Sequence, residues 1–133
     1  MSKRLRQLAG AGAHFAFGST LSSRTFAPFL RNLKAQGYSV AIYYFALTNA
    51  QLAVRRVRLR VALGGHHVPT DVVKRRFARS LSNFFTLYAP IADEWTLFDN
   101  SASSSAQRVA SYWGNKLQIT DQKVWQKLQK QVD

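Results

Sequence analysis

The sequence predicts an α/β fold built on a mainly parallel sheet of about three strands. Short apolar runs of strand length alternate along the chain with longer stretches in which apolar residues recur every three or four positions. Glycine, proline and small polar residues fall between them, where turns and helix ends are expected. The 133 residues, 47% of them hydrophobic, are enough for one domain with a buried core.

Three apolar runs predict the strands, and they lie at His14–Thr20, Ser39–Leu47 and Trp95–Asp99. The middle run is aromatic and β-branched and has no polar alternation. That pattern is typical of a strand covered on both faces, which is the usual state of a strand in a parallel sheet.

Amphipathic stretches predict helices at residues 2–9, from Ser22 or Ser23 to Gly37, from Asn49 to Gly64, from Pro69 to Tyr88 and from Thr120 to near the C-terminus. Asn49 is suited to cap the third of these, and glycine commonly follows a helix end. The serine-rich residues 101–105 predict a loop ahead of the last helix.

Charge is the unusual feature of the composition. Nineteen Lys and Arg oppose six acidic residues, which gives a formal net charge of +13. Such a charge attracts polyanions; a merely solvated basic surface, or acidic residues located in another segment, would also explain it. The chain has no cysteine and no apolar run of the roughly 18 residues that a membrane helix needs, so a cytoplasmic protein without a membrane partner is expected.

A series of motifs lies in the middle of the chain: Arg56-Val57, Arg60-Val61, Gly64-Gly65-His66, Val68-Pro69, Arg75-Arg76-Phe77, Arg79-Ser80, Asn83 and Asp99-Asn100-Ser101. In order and spacing they resemble the zeta-toxin-like family of P-loop kinases, and residues 15–22 and 124–128 fit the same family more weakly. The resemblance implies one partial domain over residues 1–133, with an incomplete three-layer P-loop-kinase-like fold. Residues 1–100 would form the sheet and lid, and residues 101–133 a C-terminal loop and helix.

Members of that family transfer phosphate from ATP, with Mg²⁺, to a small substrate such as a nucleotide-activated amino sugar. This sequence contains no G-x-x-x-x-G-K-[ST] motif, and the catalytic aspartate that follows it in the family is missing too. Gly18 stands where the family typically has an acidic residue. The expectation is therefore a remnant, truncated or split kinase that is inactive alone, has no catalytic residue or cofactor of its own, and pairs with itself or with the missing N-terminal half.

The resemblance assigns lid arginines that bind phosphate to Arg60, Arg75 and Arg76. It assigns substrate contact to Thr20 and a place near the nucleotide base to Asn100. The alternatives are solvated helix faces for the arginines, a helix-entry turn for Thr20 and a simple turn for Asn100. Arg55 and Arg58 are expected to be solvated, and the adjacent pair His66–His67 lacks the third ligand that a metal site needs.

Two other functions stay open. One is a basic, non-enzymatic module that binds nucleic acid or an acidic protein, and the other is an interaction protein that completes its sheet with a second chain. Most aromatic residues among the basic ones, such as Phe77, Phe84 and Tyr88, fall at core spacing. Few are then left for base stacking, so nucleic acid is the weaker alternative.

Overall fold

A computed structural model of the chain describes residues 21–102 and 105–132. Its elements, in chain order, are α1 (Phe26–Ala35), β1 (Ala41–Ala46), α2 (Ala50–Ala62), α3 (Thr70–Asn83), β2 (Glu94–Asp99), β3 (Gln107–Trp113), β4 (Lys116–Ile119) and α4 (Gln122–Lys130). Helix α3 continues without a break into a π-helical turn, Phe84–Tyr88, and a short helical turn, Ala89–Ile91. The helix expected at residues 2–9 and the strand expected at His14–Thr20 lie outside the described residues.

The four described strands form one sheet in the order β1-β2-β3-β4. Strands β1 and β2 are parallel, with Ala41 opposite Glu94, whereas β2–β3 and β3–β4 are antiparallel. The α/β class is thus confirmed, but a mainly parallel sheet is wrong for the described residues, whose sheet is mixed. The difference comes from residues 107–119, where the sequence predicts only a loop and the chain forms a hairpin.

The hairpin closes through Gly114 and Asn115, which have φ angles of 57° and 63°. Left-handed φ at both central residues is the mark of a type I′ turn, whose twist matches that of the two strands it joins. A glycine in the first position and an asparagine in the second adopt this conformation at little steric cost.

Most of the predicted helix ends are confirmed. The Asn49 side chain accepts a hydrogen bond from Leu52 N at 2.9 Å and caps α2, and Gly37 and Gly64 have φ of 94° and 99° just beyond α1 and α2. The cap expected for α1 is wrong, because that helix begins at Phe26. Ser23 instead accepts from the backbone N–H two residues ahead of it, at 3.2 Å, in the turn that precedes α1.

The core lies against one face of the sheet. Ile42, Tyr44 and Ala46 are buried on this face of β1, and the Tyr44 ring stacks on Phe84 from the π-helical turn with 4.8 Å between ring centroids. Phe84 in turn meets Trp95 of β2 edge-to-face at 5.3 Å. Trp95 also stacks at 6.1 Å on Trp125 of α4. This aromatic series joins the sheet to the end of α3 and to α4.

The opposite face of β1 is open in the described part of the chain. Tyr43 is 49% exposed and Phe45 is 54% exposed, so the expectation that this strand is covered on both faces is wrong there. An aromatic strand can be half-exposed as readily as fully buried, and its composition does not distinguish the two cases. The expected three-layer arrangement is accordingly not confirmed.

Candidate anion-binding cleft

Helices α2 and α3 form a helical hairpin whose turn requires two glycines. Gly64 has a left-handed φ of 99°. Gly65 N donates to Arg60 O at 2.8 Å, and a Cβ on Gly65 would lie only 2.9 Å from the same oxygen. The tight turn therefore returns the chain directly along α2, and it fixes the arginines of α2 relative to those of α3.

A cleft of about 1000 Å³ lies between β1, α2 and α3. Much of its wall is apolar, and its polar lining residues are Ser22, Tyr43, Tyr44, Arg56, Arg60, His66, Arg76, Ser80 and Asn100. Leu47 and Asn100, which follow the parallel strands β1 and β2, place the cleft at the carboxyl ends of these strands. Ligands of α/β sheets characteristically bind at that edge.

The cleft is cationic and carries no carboxylate among its described lining residues. Two ion pairs are found in residues 21–102 and 105–132: Lys34 lies 3.5 Å from Asp93, and Arg75 lies 3.9 Å from Asp71. The three cleft arginines take part in neither of these pairs. Because guanidinium groups donate in a planar fork that matches phosphate oxygens, such a cluster is suited to a phosphate-bearing ligand.

Arg56 is held in the cleft by the segment that follows β2. Its Nη2 donates to Ser101 O at 3.1 Å. Ser101 is itself fixed on both sides, since its backbone N–H donates to Asp99 Oδ1 at 2.9 Å and its Oγ accepts from Thr48 N at 3.1 Å. Ser101 Oγ also donates to Thr48 Oγ1 at 3.2 Å. This network ties the ends of β1 and β2 together and presents Arg56 from a rigid support.

The floor of the cleft contains a buried pair of hydroxyl groups. Tyr44 Oη and Ser80 Oγ lie 2.7 Å apart. Burial raises the pKa of Tyr44 to about 12, against the weaker lowering effect of the Ser80 hydrogen bond. The phenol therefore stays neutral at physiological pH and serves as a hydrogen-bonding group rather than as a base.

The entry to α1 runs beside the cleft in a strained conformation. Leu21 is buried and has a φ of 58°, which is unfavourable for a residue with a branched side chain. Its carbonyl accepts from Asn83 Nδ2 at 2.8 Å, and Ser23 O accepts from Tyr88 Oη at 2.5 Å. These bonds hold the backbone on either side of Ser22, a cleft residue. Backbone strain maintained by buried hydrogen bonds is commonly found at functional sites.

The structure brings together three of the residues selected from the sequence: Arg60, Arg76 and Asn100 all line the cleft. Arg75 is not among its lining residues; it is exposed and lies beside Asp71. Thr20 lies outside the described residues. Arg56 also lines the cleft, although it was not among the residues predicted from the sequence. Its position one helical turn before Arg60 was the feature of the sequence that could have indicated this role.

In the described ranges, 21–102 and 105–132, no three metal-ligating side chains of the His, Cys, Asp or Glu types come together. No helix within the same ranges is long and apolar enough to cross a membrane.

Comparison with known proteins adds one partial relative. A protein of Haemophilus influenzae, described only as uncharacterized, is 30% identical over 63 residues, which cover 47% of this chain and 45% of the relative. The chain thus matches less than half of that relative's length. No protein-family model matches the chain, and no solved structure resembles it significantly.

Proposed function

We propose that the chain is the lid and acceptor part of a zeta-toxin-like small-molecule kinase, and that the cleft receives a phosphate-bearing ligand. The observation that carries this proposal is the convergence of Arg56, Arg60 and Arg76 on one cleft without a carboxylate, at the carboxyl edge of a parallel strand pair. Two of these residues, Arg60 and Arg76, are those to which the family resemblance assigns phosphate contact.

The arginines can bind and orient a ligand through charge. A hydrogen bond to a charged group contributes about 1.5–3 kcal/mol, so each arginine that contacts phosphate accounts for roughly a tenfold or larger change in affinity. Arg56 is supported by Ser101, whereas Arg60 and Arg76 project from the two arms of the α2–α3 hairpin. A ligand between the arms would draw both arginines towards its phosphate.

Phosphoryl transfer needs more than these groups. Kinases of this type place the phosphates in a P-loop and activate the acceptor with a carboxylate. The sequence contains no P-loop motif, and the described lining of the cleft contains no carboxylate. We therefore expect ligand binding by this chain, and ATP turnover only together with a P-loop element that this sequence does not contain.

Isothermal titration of the purified chain with ATP and with a nucleotide-activated amino sugar tests the proposal. At low salt we expect binding to at least one of them, and we expect Arg60→Ala and Arg76→Ala each to weaken it about tenfold. Arg75→Ala is the matched control, because it removes the same charge from the adjacent position of α3, outside the cleft. It should change the affinity less than twofold.

Equal losses for Arg75→Ala and Arg76→Ala would mean that net charge, rather than the cleft, attracts the ligand. A turnover assay with MgATP separates binding from catalysis. Phosphorylation of the sugar nucleotide above a heat-denatured control, by the chain alone, would refute the requirement for a P-loop element.

A further inference from the structure

The sheet has an exposed aromatic surface on the side opposite the core, and two of its rings, Tyr43 and Phe45, also line the cleft. Side chains alternate between the two faces of a strand, so Tyr43 and Phe45 point away from the core face of β1. Phe98 of β2 is opposite Phe45 and shares its face. Trp113 of β3 follows Tyr112, which packs on the core residue Trp95, and therefore also points to the open side. We call Tyr43, Phe45, Phe98 and Trp113 the open aromatic face.

These rings are available for contact. Tyr43, Phe45 and Trp113 are 49%, 54% and 61% exposed. Phe45 and Phe98 are stacked almost parallel, with 4.7 Å between ring centroids and 10° between planes. An exposed aromatic surface can mark a binding site, and strand alternation places Tyr43, Phe45 and Trp113 on the same face of the sheet.

Basic residues accompany the rings on the same face. Arg108 of β3 is opposite Phe98, and Lys116 of β4 is opposite Trp113, so both share the side of the sheet on which the rings lie. Both are exposed. With a formal charge of +13 on the chain, a second copy would meet strong electrostatic repulsion. A flexible polyanion that carries flat apolar groups would satisfy both features.

We propose that the open aromatic face binds single-stranded nucleic acid. Bases stack on Trp113 and on the Phe45–Phe98 pair, while Arg108 and Lys116 contact the phosphates that connect them. Stacking on aromatic side chains accepts every base, so the interaction has little sequence preference. It also depends strongly on salt, because each neutralised phosphate releases counterions. This site goes beyond the proposed kinase function and does not rest on it.

Fluorescence anisotropy with a labelled single-stranded oligothymidylate of about 15 nucleotides tests the site. We expect Trp113→Ala and Phe45→Ala each to weaken binding at least about fivefold. Arg108→Gln should weaken it and lower the slope of log affinity against log salt by about one. Leu117→Ala is the matched control, since Leu117 is 51% exposed on the same hairpin but is opposite Tyr112 and thus lies on the other side. It should leave binding unchanged.

Inorganic polyphosphate, a polyanion without bases, distinguishes stacking from charge. The Trp113→Ala variant should keep the wild-type affinity for polyphosphate, whereas Arg108→Gln should weaken that binding as well. Equal losses of oligothymidylate and polyphosphate binding in Trp113→Ala, or no loss of either, would overturn the proposal. So would light scattering that shows a dimer of the wild-type chain which Trp113→Ala dissociates, because the face would then be a contact between copies.

Discussion

The buried Tyr44–Ser80 pair makes the stability of this protein depend on pH in the alkaline range. The pKa of Tyr44 is about 12 in the folded chain and 10.0 in an unfolded one. Below pH 10 the phenol is protonated in both states, and the stability that it contributes is fully present. Above pH 10 the unfolded state ionises first, so that stability is lost progressively as the pH rises through 12.

The size of the loss follows from the shift in pKa. A difference of about two units at about 1.4 kcal/mol per unit gives roughly 3 kcal/mol of unfolding free energy between pH 10 and 12. That is a large part of the 5–15 kcal/mol that is typical of a small domain. Tyr88 shifts in the same direction, and burial is the main cause.

Urea unfolding, followed by circular dichroism at pH 9, 10, 11 and 11.5 or so, measures this dependence for the wild type and for Tyr44→Phe. The variant keeps the ring that stacks on Phe84 and keeps Tyr88, but it lacks the titrating hydroxyl. Its unfolding free energy should therefore fall less steeply above pH 10 than that of the wild type. Parallel curves would show that the Tyr44 hydroxyl reaches water in the folded state, and would refute its burial.

Two substitutions and one hydrogen-exchange measurement test the structure around the cleft. Gly65→Ala brings a Cβ to 2.9 Å from Arg60 O, so we expect the free energy of unfolding to fall by about 1–3 kcal/mol and the thermal midpoint to fall with it. An unchanged midpoint would contradict the tight turn. Ser101→Ala removes both hydroxyl bonds to Thr48 and should cost about 1–2 kcal/mol in urea unfolding, whereas a neutral result would mean that water replaces them. Val54 is the one buried side chain of α2, which indicates that this helix is loosely packed. In native-state hydrogen exchange, the amides of α2 should therefore exchange faster than those of β2. Equal protection of the two elements would contradict loose packing of α2.

The parts of the fold that the sequence predicts well are those marked by strong local chemistry. Asn49 and Gly64 delimit α2, and the apolar run before Asp99 marks β2, because caps, left-handed glycines and strand propensity act within a few residues. The sequence indicates the hairpin of β3 and β4 less clearly. A shift in register between Leu97 and Phe98 disturbs the alternation of β3, and the remaining signal is the Gly114–Asn115 turn.

The candidate site was only partly predictable for a geometric reason. Adjacent residues on a helix point about 100° apart, so the sequence alone does not show whether Arg75, Arg76 or both face the cleft. The motif that contains them does not say which one does; the packing of α3 decides it, and Arg76 lines the cleft. Arg56 and Arg60 are four residues apart and share a face, so the choice of Arg60 was also a signal for Arg56, which was not selected.

Strand β1 links the two proposed binding surfaces. Tyr43 and Phe45 belong to the open aromatic face, and atoms of both residues also line the cleft. We therefore expect a cleft ligand that orders these side chains to change the open aromatic face. By thermodynamic linkage, nucleic acid bound to that face would then alter ligand affinity in the cleft by the same factor. Trp113 and Arg108 are not cleft-lining residues, so substitutions there perturb the open face alone. Arg76 is not a member of that face, and its substitution perturbs the cleft alone. A double-mutant cycle compares the ligand affinities of the wild type, Trp113→Ala, Arg76→Ala and the double variant. The departure from additivity measures the coupling that passes through β1.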